Sequence, residues 1–344
     1  SNSGNIILGN DGSVPNFTYS HIPEIGGTVT LSIQDYKLKL LNGANVPVGA
    51  NAKIQSVTGT QNHRIHRQGG NLTIDGTLDI TNLQITNAAA GSTIVNGTLR
   101  TANTNGLYGT GAAVLNGTTL TLNNNSTIDY NATANQAISS APNYYNLEIS
   151  GSGIKTVAAN TLVNNITKVT AAELLIKKTD DLTNPVVFTA KNGLNVATGA
   201  TFRLENNAQL MQDEAATANN EGSIIVERDV TDMDNVLATQ MDYIYWSSPV
   251  ADQPTNGANA FSPGTDPAFF FDYKEADDIF YPTPDTTFQR GKGYAVGAEV
   301  GVAFPTGYDA TYRFTGKPNN GAFNGQPLLK SATGGGYNLV GNPY

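Results

Sequence analysis

The sequence contains no cysteine, so neither a disulfide framework nor a thiolate metal site can be built from it. Small exported domains often need such staples, whereas a long stack of repeats does not. Charge is scarce too: Asp, Glu, Lys and Arg make up 14% of the 344 residues, against roughly 25% in an ordinary soluble domain. Asn, Thr, Gly and Ala are conspicuous over the first two thirds, so uncharged polar groups must supply most of the solvation. The formal net charge is -9, and the one dense basic cluster is His63-Arg64-Ile65-His66-Arg67. A partner gripped through phosphate backbones needs far more lysine and arginine than this, which argues against nucleic acid. No apolar run approaches the ~18 residues of a membrane helix, and Ser1-Asn2-Ser3 opens no signal peptide. For an exported protein, the expectation is a leader that was removed or lies outside this sequence.

What the chain does have is repetition. Between Asn71 and Asn125 one phrase is written three times: Ile74-Asp75-Gly76-Thr77-Leu78, Val95-Asn96-Gly97-Thr98-Leu99 and Leu115-Asn116-Gly117-Thr118-Thr119-Leu120. Its glycines are 21 and 20 residues apart, the period of a coil stacked on its neighbours. Stacking at that period predicts a column of Ile74, Val95 and Leu115, and a second of Thr77, Thr98 and Thr118. It also sets Asp79 beside Arg100, a ladder ion pair on the solvent face. Asp75 moved by one period becomes Asn96 and then Asn116, an amide column where an enzyme would need carboxylates. Looser echoes, Asn160-Thr161-Leu162 and Gly199-Ala200-Thr201-Phe202, extend the stack to about Leu210. The leucine-rich-repeat frame is absent, and β-branched residues with Asn and Gly are poor helix formers.

The expected fold is therefore all-β: a parallel β-helix or β-solenoid with coils of about 20–22 residues, followed by a C-terminal, aromatic-rich, β-sandwich-like domain. Residues 1–70 read as a β cap or first coils, 71–210 as the repeat tract, 211–225 as a polar connector and 226–344 as the C-terminal β domain. An antiparallel sandwich of short strands is the competing architecture.

Candidate sites are few. His63 and His66 are three apart, which in an extended strand puts them on opposite faces, and a surface turn is the favoured reading. Asp232, Asp234, Asp277 and Asp278 lie in oxygen-rich loops that suit calcium, although neither stretch follows the EF-hand frame and a solvated acidic turn is the simpler reading. No other cofactor is expected. Gly291-Lys292-Gly293 lacks the spacing of a phosphate loop and reads as a turn before a strand. The aromatic series from Tyr243 to Tyr294, with Trp246 inside an alternating strand, is expected to be mostly core, with sugar stacking as the alternative. Asn71, Asn96, Asn116 and Asn165 head Asn-X-Thr sequons.

The second part carries five motifs in order: Ser223-Ile224-Ile225-Val226-Glu227-Arg228, Asp242-Tyr243-Ile244-Tyr245-Trp246-Ser247-Ser248-Pro249-Val250, Gly291-Lys292-Gly293-Tyr294, Phe314-Thr315-Gly316-Lys317-Pro318-Asn319-Asn320-Gly321 and Tyr337-Asn338-Leu339-Val340-Gly341-Asn342-Pro343-Tyr344. This series resembles the cell-surface and secreted proteins of the Bacteroidota exported by the type IX secretion system, in which a low-charge β-repeat tract often precedes such a block. The resemblance implies an extracellular or outer-surface location, contact with that secretion machinery during export, and an adhesive or structural role; it transfers no catalytic residue. Members usually continue into a sorting domain beyond Gly-Asn-Pro-Tyr, so a fragment or processed product is expected. Asp285-Thr286-Thr287 resembles the O-glycosylation acceptor of that phylum, which points to Thr286. The functional expectation is a non-enzymatic surface spacer or adhesin that associates with itself or with other surface proteins and glycans, with a possible surface fibre. The alternative is a carbohydrate-active β-helix enzyme or glycan-binding module.

Overall fold

The computed structural model describes residues 4–8, 24–33, 37–40, 43–47, 49–56, 64–67, 69, 71–87, 91–115, 118–181, 183–236, 240–257, 259–300, 307–324 and 326–344. Among these residues regular structure is almost entirely β, relieved by two short 3-10 helices, Glu214–Asn219 and Pro267–Phe269. No helix among them is long and apolar enough to cross a membrane.

Coil by coil, the chain visits three parallel sheets in rotation. The first face is unbroken and nine strands long: Gly4–Leu8, Thr28–Ile33, Asn51–Ser56, Thr77–Asp79, Thr98–Thr101, Thr127–Tyr130, Asn146–Ile149, Ile166–Val169 and Gly193–Val196 pair in that order. The second and third faces each begin as one sheet and resume as another after about residue 122. Alternation along each strand turns every second side chain inward. On the first face this produces the apolar column Ala52, Leu78, Leu99, Ile128 and Leu147, each paired with the next. All five are fully buried.

The repeated phrase is the corner between the third face and the first. Asn96 N–H and Gly97 N–H both donate to Ile74 O at 2.8 Å, as Asp75 and Gly76 do to Val46 O one coil earlier at 2.8 and 3.0 Å. Gly97 lies directly on the preceding corner, and a Cβ there would fall 2.2 Å from Gly76 O. Glycine is required for this close approach. The side chains form an amide ladder, with Asn96 Nδ2 donating to Asp75 Oδ1 at 2.6 Å and Asn123 Nδ2 to Asn96 Oδ1 at 2.7 Å. Along the same corner Asn165 donates to Asn146 and Asn192 to Asn165, at 2.8 and 2.9 Å.

The third writing of the phrase does not join these columns. Val95 pairs with Leu122 rather than Leu115, and Thr98 with Thr127 rather than Thr118. The cause is an insertion that folds back on itself through Ala113 N–H to Gly106 O and Val114 N–H to Leu107 O, at 2.9 and 2.7 Å. Leu115 is thereby carried to the second face, where its N–H reaches Ile85 O. Asn116 and Gly117 lie outside the described residues, and Asn123 holds the ladder position expected of Asn116. The step from Thr77 to Thr98 is 21 residues, from Thr98 to Thr127 29, and from Thr127 to Asn146 19. The later echoes also sit elsewhere: Thr161 pairs with Phe188 on the third face and Thr201 with Glu173 on the second.

The last coil is closed by a change of direction. Ile224–Met233 pairs parallel with Thr201–Leu204 on one side and antiparallel with Tyr308–Gly316 on the other. Beyond it lies an antiparallel sheet of Tyr243–Trp246, Tyr294–Gly297, Phe270–Lys274 and Ile279–Pro282. Phe261 is the hub between these elements, with ring centroids 5.0 Å from Trp246, 5.0 Å from Tyr312, 4.3 Å from Phe314 and 5.5 Å from Phe288. Phe261, Phe270, Phe288 and Tyr294 are core, continuous with the solenoid's own, with Trp246 packed against them. Tyr243, Tyr245 and Phe280 face outward, and the others of the series are half-buried.

Two substitutions test this packing by denaturant unfolding. Gly97→Ala is expected to cost about 1–3 kcal/mol, because the corner carbonyls must move apart. Phe261→Ala is expected to cost about 3–5 kcal/mol. Midpoints unchanged from wild type would contradict the corner and hub roles.

Candidate functional site

The outward column of the first face carries five of the seven charged residues between positions 71 and 170. Lys53, Asp79, Arg100, Asp129, Glu148, Lys168 and Asn195 are neighbours in succession. Asp79 does lie beside Arg100, but the ion pair forms on the other side: Arg100 Nε is 3.2 Å from Asp129 Oδ2. Asp79 is occupied instead by Thr81 N–H at 2.8 Å and Asn131 Nδ2 at 3.3 Å. Asp129 is 2% exposed, and burial pushes its carboxyl up to about 6 despite the Ser150 hydroxyl at 2.6 Å and Arg100. Glu148 adds to the upward shift. Inside the adjoining turn Lys155 is fully buried, its Nζ donating to the carbonyls of Ala132, Ala134 and Ser152 at 2.7, 2.9 and 2.7 Å. This lysine clamps two successive corners and faces no solvent.

The sequence candidates disperse. His63 lies outside the described residues. His66 belongs to a strand, Arg64–Arg67, rather than a surface turn, and that strand is stacked between Lys37–Leu40 and Gln84–Asn87. Its Nδ1 meets Thr86 Oγ1 at 2.8 Å. Asp232 N–H donates to Asp309 at 3.0 Å and Asp234 N–H to Asp242 at 2.8 Å. Asp278 accepts from Tyr273 OH at 2.7 Å and from Gly335 N–H, and Asp277 from Tyr281 OH at 3.3 Å. The Asp277 and Asp278 carboxylates thus act as acceptors, Asp232 and Asp234 donate from their backbones to other carboxylates, and among the described residues no group of three or more His, Asp or Glu is disposed to hold a metal ion. Thr286 is exposed, its carbonyl held by Thr255 N–H at 3.1 Å.

Gly291-Lys292-Gly293-Tyr294 is the turn and strand start that the sequence suggests. Lys292 Nζ bridges Asp272 and Asp285 at 2.8 and 2.6 Å, and Tyr294 OH also reaches Asp285, at 2.7 Å. Burial works against the ammonium, but the two carboxylates outweigh it and hold its pKa above the ordinary lysine value. The motif thus ties the antiparallel sheet to the loop before it. Nothing in the spacing of Lys292, Asp272 and Asp285 along the chain signals this triad.

A trench lies where the last coil meets the antiparallel region. It consists of two adjoining hollows of about 400 and 450 Å³ that share Val226, Arg228, Pro249, Asn342 and Tyr344. Two motifs about 95 residues apart in sequence meet here, and Ser247 Oγ donates to Asn342 O. Arg228 is half-buried and donates from Nη1 to Glu227 O at 2.7 Å. Burial lowers its pKa.

A family model for a domain of unknown function, DUF8693, matches residues 121–344. The chain belongs to the DUF8693 family. The match begins where the second and third faces break, and it takes in the later coils, the trench and the antiparallel region together. No curated protein and no solved structure matches the chain.

Within the family region Asp129 yields a test of the outward column. Its folded pKa of about 6 lies above the unfolded value of roughly 3.9. The folded state therefore holds the proton more tightly. The stabilisation is fully present below the unfolded pKa and is lost as pH rises through about 6. Stability measured from pH 4 to 7 is expected to show this loss in the wild type and not in Asp129→Asn. The two slopes should differ by roughly one proton at most; parallel profiles would refute the buried assignment.

Proposed function

We propose that this protein is a non-enzymatic, exported surface component in which the solenoid is a stiff spacer and the C-terminal region a folded contact module. The observation that carries this reading is the nine-strand first face, whose outward charges are spread one per coil along the column, with Asp129 paired to Arg100 and a single like-charge step from Asp129 to Glu148. General acid and base groups would have to converge to cleave a glycosidic bond. The resemblance of the block from Ser223 to Tyr344 to type IX secretion cargo in the Bacteroidota supports the surface address.

The two ends differ in a way that bears on assembly. At the C-terminal end the second face is closed by the antiparallel strand Tyr308–Gly316. At the other end Gly4–Leu8 borders the first face with one neighbour among the described residues. Unpaired strand edges recruit other chains, which makes self-association, including into a fibre, part of this reading.

Surface biotinylation of intact cells is expected to label the native protein, and the purified chain is expected to release no reducing ends from a polysaccharide panel. Confinement to the cytoplasmic fraction, or turnover of any glycan in the panel, would overturn the reading. Sedimentation of the native form tests assembly separately, since a monomer at every concentration excludes the fibre.

A further inference from the structure

We propose that the trench between the last coil and the antiparallel region binds an acidic oligosaccharide, and that Arg228 selects for its negative charge. Each hollow, at about 400 and 450 Å³, falls within the range of small-ligand sites. The lining contains one charged side chain, Arg228, and no Asp, Glu or His. Among the described residues no carboxylate forms an ion pair with Arg228, and its recorded hydrogen bond is to the backbone carbonyl of Glu227. A half-buried guanidinium without a counter-charge is costly, and an incoming anion removes that cost. Its planar fork matches a carboxylate or sulfate with two parallel hydrogen bonds.

The remaining lining suits sugar rings. Tyr245 is 64% and Tyr344 54% exposed, and both line the trench; the Tyr344 ring already carries the Arg290 guanidinium, 5.4 Å from its centroid, which leaves Tyr245 as the main stacking platform. Flat aromatic faces of this kind receive the C–H face of a pyranose, while Gln209 offers an exposed amide for hydroxyls. Tyr245 also leads out of the trench onto the open face of the antiparallel sheet, where its ring lies 6.2 Å from Phe280 and Phe280 lies 5.2 Å from Tyr273. A chain longer than the trench would continue along this row.

Other occupants fit less well. Nucleic acid needs a row of cations, whereas the trench has one and the chain carries a net charge of -9. Ile224–Met233 is paired parallel only at Ile225 and Val226 and antiparallel on its other side, and a peptide adding as a β-strand there would not by itself supply the anion that Arg228 lacks. With no carboxylate or imidazole in the lining, the sugar is held and not cleaved. The inference adds a ligand to the surface reading without depending on it, because binding is measured on the purified chain and location in cells.

The test is a matched panel of tetrasaccharides: oligogalacturonate, alginate, a sialylated and a heparin-derived member against neutral cellotetraose and laminaritetraose. At least one acidic member is expected to bind tenfold or more tightly than the neutral ones. By calorimetry with that member, Arg228→Gln should lose about tenfold or more in affinity, with little change in its weak binding of cellotetraose. Tyr245→Ala, at an exposed position, should weaken both classes while its melting temperature stays at the wild-type value. No acidic preference anywhere in the panel, or full affinity in a folded Arg228→Gln, would overturn the proposal.

Discussion

Every feature of the repeat tract follows from one constraint: adjacent parallel strands sit about 4.8 Å apart, so a residue touches its counterpart in the next coil directly. Whatever occupies an inward position must tolerate itself above and below. Ala52, Leu78, Leu99, Ile128 and Leu147 meet that condition with apolar contact, and the corner asparagines meet it with side-chain amides that both donate and accept. Charges on the outward column meet it by alternation. Alternation lapses between Asp129 and Glu148, and there the Asp129 carboxyl is raised chiefly by its own burial, with Glu148 adding to the shift.

A parallel stack solves its interior and leaves its ends open. Here the second face is closed at the later end by reversing the chain, so that Tyr308–Gly316 covers the edge of Ile224–Met233. That reversal explains a chain of paired charges across the junction, from Glu173 through Arg203 and Glu227 to Arg313. It also brings the aromatic hub around Phe261 against the last coils and leaves a trench at the seam. The open surface of the C-terminal region is thus a by-product of how the stack is capped. Motifs scattered over more than a hundred residues share it because they all contribute to the cap.

Much of this was legible in residue order. The Asp/Asn-Gly-Thr-Leu phrase announces a turn followed by a strand, and the neighbours Asp79 and Arg100 could be placed in register by counting. The third phrase could not. Residues from Asn103 to Val114 make a local fold-back whose hydrogen bonds are invisible in a period count, and they displace Leu115 and Thr118 from the expected columns. His66 and its neighbours looked like a basic surface turn because charge usually marks solvent. Stacking places Ile65 in the core and leaves Arg67 1% exposed within the same strand. The trench was not legible as a site, because Arg228 stands in an unremarkable strand and its companions come from five separate stretches of the chain, around 204–212, 245–249, 293, 314–320 and 339–344.

By itself the sequence determined the class of fold, the corner chemistry and the absence of any thiol site, because these depend on local propensity and on a repeat short enough to read. Which coils were lengthened, which acid pairs with Arg100, and which side chains meet at the capped end were decided only in three dimensions. Those outcomes depend on hydrogen bonds and burial between residues far apart in the chain, and a linear pattern carries no record of them.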